Sequence, residues 1–180
     1  NIYSESEQVV NSANHDYTKN IEINLSKLVN LDTGVNFNLS NLFTDFTHKS
    51  DSSSTGTRNH LNLSVSKKFY SNAYEVEPNL NFLNTKYNID NSSSINRSLF
   101  TANIDSKLFS ERELNLSNQK FIQTFVPRLK YLYAPKKNQN SIPNFDTEEL
   151  SSSYDALFRE DLFTGVDKVS NQNSLTIGLE

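Results

Sequence analysis

The stretch LNLSVS at residues 61–66 alternates strictly between apolar and polar residues. The same alternation occurs in IEINLS at residues 21–26 and in VNFNLS at residues 35–40. A period of two residues places successive side chains on opposite faces of a β-strand, so each face meets a different environment. These three stretches therefore predict β-strands with one apolar face and one polar face.

The same reading along the rest of the chain predicts seven long strands. A strand in a globular protein usually has about 5–6 residues, whereas a tilted membrane-spanning strand needs about 9–11. The predicted strands are longer than globular strands and long enough to span a membrane. They lie at about 19–29, 33–47, 58–69, 74–88, 98–109, 119–134 and 170–180.

The connections between these strands alternate in length. Short connections are predicted at 30–32 and 70–73, and long ones at 48–57, 89–97 and 135–169. Short turns on one side and long loops on the other are typical of outer-membrane β-barrels. Only the connection at 110–118, of moderate length, falls between these two classes.

The polar side of the strands is rich in small uncharged residues and suits a water-filled lumen. Asn62 and Ser64 lie on this side of one strand, and Asn103 and Asp105 on that of another, so we take these four as the candidate lumen face. Ile104 then points toward lipid. The sequence predicts an all-β fold in which long antiparallel strands form part of a large transmembrane β-barrel.

The composition excludes several other classes of protein. Hydrophobic residues make up 35% of the chain, yet 12 Phe and 8 Tyr argue against disorder. With no cysteine, a disulfide scaffold and a thiolate metal site are excluded. A net charge of −4 disfavours nucleic-acid binding. We find no nucleophile motif, phosphate loop or metal-ligand spacing, so we expect no catalytic, cofactor-binding or metal-binding residues.

The long connection at 135–169 contains many apolar and aromatic residues, among them Ile142, Phe145 and Phe158. Structureless loops longer than about 12–15 residues are uncommon in compact domains. We therefore expect this loop to fold and pack. Three serines at 151–153 precede YDALF at 154–158, which predicts a single capped helical turn.

Three places resist the regular pattern. Alternation slips at residues 41–43, which predicts a β-bulge or a strand end there. Pro78 and Pro127 fall inside predicted strands. Because proline has no N–H to donate to the ladder, each predicts a bulge or a local gap in pairing.

The second half of the chain resembles a known family. The stretches QTFVPRLKYLYAP at 123–135, YDALFR at 154–159 and FTGVDKV at 163–169 are similar to the LptD family of outer-membrane LPS-assembly proteins. Phe145, Phe163, Thr164 and Lys168 depart mildly from the family pattern. The residues that carry the resemblance are Glu111, Arg112, Pro127, Arg128, Tyr131, Tyr133, Pro135, Asp146, Tyr154, Leu157, Phe158, Arg159, Gly165 and Asp167.

The resemblance implies a specific role. It implies that the chain is not an enzyme but part of a translocon that inserts lipopolysaccharide into the outer leaflet of the Gram-negative outer membrane. The implied partners are lipopolysaccharide, an LptE-type lipoprotein plug and outer-membrane lipid. Residues 1–180 are then expected to be an incomplete segment of one outer-membrane β-barrel domain, with about seven strands and an extracellular loop near 135–169. An ion pair of Arg159 with Asp146 or Asp167 is expected to fix that loop.

Three other functions stay open at this point. A generic porin-like diffusion barrel shares the strand alternation. A soluble β-sandwich that binds glycans would have shorter strands and a dry core. An outer-membrane enzyme would need a Ser/His or Asp/His pair, which we cannot place in this sequence.

Overall fold

The computed structural model describes residues 17–50, 53–116, 119–151 and 153–179. The first sixteen residues of the predicted 1–180 domain lie outside the described residues. The strands are β1 Tyr17–Asn30, β2 Val35–His48, β3 Gly56–Lys67, β4 Phe69–Tyr70, β5 Tyr74–Ile89, β6 Ile95–Leu108, β7 Ser110–Leu116, β8 Gln119–Phe125, β9 Pro127–Ala134 and β10 Gln172–Leu179. One 3₁₀ turn spans Asp155–Phe158. No helix in the described ranges is long and apolar enough to cross a membrane.

The strands form one large antiparallel sheet and one small one. The large sheet has the order β1-β2-β3-β5-β6-β9-β10, and the short β4 also pairs with β5. The strands are long: β1, β2 and β6 have 14 residues each and β5 has 16. The prediction of an all-β fold with long antiparallel strands is confirmed. Within the described residues the sheet is not closed, because β1 and β10 each pair with a single neighbour.

The structure corrects one predicted connection. The residues expected to form a loop at 110–118 include strand β7, which pairs with β8. The predicted strand at 119–134 is divided into β8 and β9, and β9 begins at Pro127. The break agrees with the prediction from Pro127, which cannot donate to the ladder. The β7–β8 pair keeps the register of the β6–β9 pair, so the four strands make one long interrupted hairpin.

The other irregularities have mixed outcomes. The bulge or strand end expected at residues 41–43 is wrong, because β2 runs through them in continuous register. The register shift lies instead on β1, between Lys19 and Ile21. Pro78 does mark a gap: β3 pairs with β5 as far as Asn79, and β4 resumes the pairing at Val76.

The connections alternate between the two ends of the strands, as predicted. The links β2–β3, β5–β6 and β9–β10 lie at one end of the sheet, and the short links β1–β2 and β4–β5 lie at the opposite end. The β1–β2 turn needs Gly34, whose φ of +78° is rare for residues with a side chain. Its N–H donates to Leu31 O at 2.8 Å and closes the turn. The candidate site lies at the strand ends that carry the longest connection, residues 135–171.

Candidate functional site

The four candidate lumen residues share one face of the sheet. Directly opposed residues of antiparallel strands point to the same face. Ser64 is opposite Asn81, and Asn103 is opposite Asn79, two positions along the same strand. Asn62 and Asp105 lie two residues from Ser64 and Asn103, so they share this face. We call it the polar face.

The opposite face is apolar and exposed. Leu63, Phe82 and Phe100 lie opposite one another across β3, β5 and β6. Leu80 is 62% exposed and Phe100 69% exposed. Large contiguous apolar surfaces mark contact with membrane or with another protein. Long strands with one such face and one polar face have the side-chain arrangement of a membrane barrel wall.

The loop at 135–171 folds back onto the polar face, which confirms that it packs. Its Phe145 is fully buried against aromatic residues from three strands. The Phe145 ring stacks on Phe46 with centroids 4.4 Å apart and meets the edge of Tyr17 at 5.3 Å. Tyr87 lies at 6.3 Å. This aromatic cluster is the main apolar anchor of the loop.

A buried ionic group lies beside the aromatic cluster. Arg58 of β3 is 1% exposed and donates to both carboxylate oxygens of Asp146, at 2.5 and 2.8 Å. It also donates to Asp167 Oδ1 at 2.7 Å. A bidentate contact with a carboxylate fits the planar guanidinium group and is stronger than a hydrogen bond between neutral groups. We call Arg58, Asp146 and Asp167 the anchor triad.

Asp167 has no exposed surface, and its carboxylate is well satisfied. Besides Arg58, it accepts a hydrogen bond from the Tyr87 hydroxyl at 3.1 Å. The backbone N–H groups of Phe145 and Asp146 also donate to its Oδ2. A buried charge is tolerated when it is paired and hydrogen-bonded in this way. Asp167 therefore ties the two halves of the loop to each other and to the sheet.

A second arginine holds the backbone of the loop. Arg97 of β6 is 2% exposed and donates to the carbonyl oxygens of Val166 and Asp167, at 2.5 and 2.6 Å. It also donates to Gln139 Oε1 at 2.7 Å. Gln139 in turn accepts from the Val169 N–H at 3.0 Å. Arg97 thus connects both ends of the loop.

The pKa of Asp146 is below its ordinary value. Burial alone would raise this pKa, but the hydrogen bond and charge of Arg58 outweigh the burial. The ammonium of Lys19, 3.3 Å from Oδ2, lowers the pKa further. Asp146 is therefore held in its charged form.

Acid is expected to loosen the loop. Because the pKa of Asp146 is lower in the packed loop than in a released one, protonation favours release. The ionised Asp146 carboxylate contributes its full stabilisation of the packed loop at a pH above its ordinary pKa of 3.8. This stabilisation disappears as the pH falls through the lowered pKa that Asp146 has in the packed loop. Protease cleavage within 135–171 should stay slow at neutral pH and accelerate below that range. The variant Asp146→Asn should lose this acid dependence, and an unchanged profile in the variant would refute the assignment.

Gly165 allows the loop to approach itself closely. Its φ is +64°, in the left-handed region. A Cβ at this position would lie 2.8 Å from Asp146 O, Asp146 Oδ1 and Thr147 Oγ1. Either feature alone disfavours a side chain here. Glycine is therefore required where the loop passes the anchor triad.

The substitution Gly165→Ala is expected to weaken packing of the loop by about 1–3 kcal/mol, from backbone strain and the displaced Asp146. The change in loop protease resistance in the full-length protein measures it. Gly34→Ala is the matched control, because it has the same backbone strain but nothing within 4 Å of the added Cβ. Equal effects of the two on the loop would contradict the close-approach argument.

The 3₁₀ turn of the loop packs against β9 and β10. The guanidinium of Arg128 lies 4.3 Å above the Phe158 ring and also bonds both Asp105 oxygens, at 2.6 and 3.0 Å. A Cβ at Gly178 would lie 2.7 Å from Phe158 Cζ, so glycine makes room for the ring. The predicted helical turn is present as a 3₁₀ turn, but its N-cap is Tyr154, which makes no side-chain capping bond. Ser153 Oγ, one residue earlier, accepts from the Ala156 N–H at 3.1 Å.

Two further residues of the family motif lie at this turn. The Tyr154 hydroxyl donates to Leu179 O at 3.2 Å. Leu157 O accepts from the Thr176 hydroxyl at 3.0 Å, although the Leu157 side chain is exposed. These bonds run to β10, so the turn is held by both strands that flank the loop.

The expected ion pair of Arg159 is wrong. Arg159 Nη1 donates to Ser151 O at 3.5 Å, and it pairs with neither Asp146 nor Asp167. Arg58 pairs with both carboxylates instead, although it lies 88 residues from Asp146 and 109 residues from Asp167 in the sequence. Sequence proximity favoured Arg159, whereas antiparallel pairing brings Arg58 to the loop.

The remaining motif residues lie away from the anchor triad. Tyr131 and Tyr133 point to the apolar face of β9, with 40% and 43% exposure. Glu111 and Arg112 lie on the β7–β8 hairpin, where Arg112 Nε donates to Gln123 Oε1 at 2.7 Å. Pro127 is the first residue of β9, and Pro135 directly follows its last residue. The structure gives the motif no common site.

The sequence analysis missed the strand residues that receive the loop, namely Arg58, Tyr87, Arg97 and Lys19. Arg58 is the one charged residue of β3 besides Lys67 at its far end, and it stands on the polar face, near the strand end that carries the long loops. Arg97 has the same position on β6. A buried-side charge at a strand end was the available signal, since such a charge needs a partner.

The site offers non-covalent chemistry. Within the described ranges, no group of three or more His, Asp or Glu side chains is placed to hold a metal ion. The arrangement binds and positions a loop over a surface rich in amide and hydroxyl groups. Such groups exchange hydrogen bonds with water or solutes at a small net free energy, about 0.5–1.5 kcal/mol each.

A sheet of long antiparallel strands, apolar on one face and polar under a folded loop on the other, defines the class of transmembrane β-barrel walls. The family model described as "LptD: LPS transport system D" matches residues 8–180. The chain therefore belongs to the LptD family.

Three relatives illustrate the match. The LPS-assembly protein LptD of Pseudomonas aeruginosa (strain LESB58) is 38% identical over 141 residues, which is 70% of this chain and 15% of the relative. That of Idiomarina loihiensis is 31% identical over 152 residues, 82% of this chain and 20% of the relative. That of Neisseria meningitidis serogroup A is 36% identical, covering 77% and 18%. The chain thus spans a fifth or less of these relatives' length.

Proposed function

We propose that residues 1–180 are an incomplete segment of one β-barrel domain in the Gram-negative outer membrane, and that this barrel inserts lipopolysaccharide into the outer leaflet. The relatives' name, LPS-assembly protein, supports the substrate. The observation that carries the proposal is the separation of the two faces. Each long strand offers polar groups on one face and apolar side chains on the other.

That separation suits an amphipathic lipid. The sugars of lipopolysaccharide need a polar route, and its acyl chains need an apolar environment. Neutral groups such as those of Asn62 and Ser64 bind sugars weakly enough to release them. The exposed side chains around Leu63 and Phe100 would lie against outer-membrane lipid. Transport of this kind forms and breaks no covalent bond, so we propose that the segment is not enzymatic.

The anchored loop has a place in this proposal. The long connections join the strands at the same end, which would be the extracellular end, as in outer-membrane barrels generally. The loop near 135–169 would then fold into the lumen and narrow it. An LptE-type lipoprotein plug would meet the same polar face. A generic diffusion pore is not favoured, because the family is one of lipopolysaccharide transport.

Photocrosslinking in the full-length protein, in living cells, tests the proposal. A photoreactive residue replaces Asn62 or Ser64 on the polar face, or Leu63 on the apolar face as a matched control. Asn103, only 4% exposed, is unsuited to a bulky probe. Crosslinks to lipopolysaccharide or a lipoprotein are expected from positions 62 and 64, and no crosslink to a lipoprotein is expected from position 63, which faces membrane lipid. Crosslinking to neither from positions 62 and 64 would overturn the assignment.

A further inference from the structure

A groove lies on the apolar face, over strands β1, β2 and β3. Its volume is about 310 Å³. Val29, Phe37 and Val65 form one row across the three strands, and Leu39 lies opposite Leu63 in the next row. These five residues line the groove, and each is between 38% and 42% exposed. The groove is therefore apolar and open to the surroundings of the protein.

A lysine also lines this groove. Lys27 of β1 lies opposite Leu39, on the apolar face. Its side chain is exposed, and within the described ranges it has no ion pair and no hydrogen bond. The parts of the three strands around the groove, residues 25–30, 35–40 and 61–67, contain no acidic residue. The ammonium group of Lys27 is therefore free to bind an anion from outside the protein.

A second lysine lies on the same face, nearer the strand ends. Lys67 is opposite Val35, the first residue of β2, and its Nζ lies 5.1 Å from the centre of the Phe69 ring. A lysine on the lipid-facing side of a barrel is costly at the bilayer midplane and tolerated near the interface. The two lysines therefore indicate that this end of the apolar face lies at the level of the lipid headgroups.

The depth of Lys27 agrees with that level. It stands four residues before Leu31, which begins the β1–β2 turn. Four residues of a tilted strand span about 10 Å along the membrane normal. The headgroup region is about 5–8 Å thick, and a lysine reaches it from slightly deeper by laying its stem along apolar surface. Because the long loops would be extracellular, this end of the strands meets the inner leaflet.

We propose that the groove binds an anionic glycerophospholipid of the inner leaflet. One acyl chain lies along Phe37 and Leu39, and its phosphate group accepts a hydrogen bond from the Lys27 ammonium. An anionic headgroup is favoured over a zwitterionic one, because the two charged residues around the groove, Lys27 and Lys67, are both positive. The site rests on the proposed function for its place in the membrane, and it adds a lipid other than the transported one.

Photocrosslinking in vesicles tests the proposal. In the full-length protein a photoreactive residue replaces Leu63, which lines the groove. The vesicles contain equal amounts of phosphatidylglycerol and phosphatidylcholine with the same acyl chains, and mass spectrometry identifies the attached lipid. A single lysine near the headgroups favours an anionic lipid about fivefold, so we expect phosphatidylglycerol adducts to exceed phosphatidylcholine adducts by about that factor. Equal amounts of the two adducts would overturn the proposal.

Two lysine variants locate the headgroup. Lys27→Gln is expected to lower the ratio of phosphatidylglycerol to phosphatidylcholine adducts at least about threefold. Lys86→Gln is the matched control, because Lys86 is also exposed on the apolar face but lies at the other end of the strands, opposite Asn59 and Asn96. It should keep the wild-type ratio. An unchanged ratio in Lys27→Gln would contradict the site.

Lipopolysaccharide also carries phosphate groups and acyl chains, so it is the alternative occupant of the groove. Vesicles that contain it as a third lipid distinguish the two. We expect position 63 still to attach phosphatidylglycerol, and preferential attachment of lipopolysaccharide would overturn the choice of lipid. Lipopolysaccharide crosslinking from position 62, on the polar face, reports separately on the proposed function, and Lys27→Gln should leave that crosslinking unchanged.

Discussion

Replacing Arg58 with methionine is expected to release the long loop from the sheet. The substitution keeps most of the side-chain volume but leaves Asp146 and Asp167 buried without their main cation. Removing one partner of a buried ion pair usually costs about 3–5 kcal/mol. Since cleavage of a segment that opens and closes rapidly follows its open population, protease cleavage within 135–171 should accelerate by on the order of 100-fold or more.

The control for this prediction is Arg112→Met on the exposed hairpin, where the arginine has one hydrogen bond to Gln123. Surface contacts of this kind contribute about 0–1 kcal/mol, so loop cleavage should stay at the wild-type rate. The anchor triad would be refuted if Arg58→Met left the loop as resistant as the wild type while the protein remained folded in the membrane.

Replacing Phe145 with alanine is expected to have an effect of similar size by a different cause. The ring is fully buried and contacts Phe46, Tyr17 and Tyr87. Truncating a buried phenylalanine to alanine costs about 3–5 kcal/mol, from lost transfer free energy and the cavity left behind. Hydrogen exchange of the loop backbone in the full-length protein should show this loss as faster opening, with the strands unaffected.

Phe100→Ala is the matched control for this variant. Phe100 is 69% exposed on the apolar face, opposite the face on which the loop packs, so its truncation should leave loop exchange unchanged. If Phe145→Ala exchanged no faster than Phe100→Ala, the aromatic cluster would not be holding the loop. The loop of the Phe145→Leu variant should exchange at a rate between those of the wild type and the Phe145→Ala variant, because leucine keeps part of the buried surface.

The strands were predictable because their signal is local. Stretches such as 61–66 alternate over a full strand, and the alternation also assigns each residue to a face. Asn62, Ser64, Asn103 and Asp105 accordingly lie on one face, as the alternation predicted. The packing of the loop was also predictable, from an apolar content that no solvated loop of this length needs.

The partners of the loop were not predictable, because they depend on contacts between distant parts of the chain. Arg58 lies 109 residues from Asp167, and only the strand order β3-β5-β6-β9 brings them together. Arg159 was the nearer candidate in sequence, and it bonds elsewhere. Strand β7 was missed because its first residues, SERE at 110–113, are all polar and show no apolar alternation, whereas β8 lies within the predicted strand at 119–134.

The family motif is explained by geometry only in part. Asp146 and Asp167 belong to the anchor triad, and Gly165 lets the loop pass beside it. Arg128, Tyr154 and Phe158 hold the 3₁₀ turn. In the structure these residues position a loop.

Hydrogen exchange of the loop in the full-length wild-type protein, in a membrane, tests the central claim most directly. The backbone N–H groups of Phe145, Asp146 and Asp167 donate to the buried side chains of Asp167 and Thr147 within the loop, so they are shielded from water while the loop is packed on the polar face. These amides should exchange as slowly as those of β3 and β6, whereas the exposed Asn140 amide should exchange quickly. Fast exchange throughout 135–171 would show an unanchored loop and contradict the account.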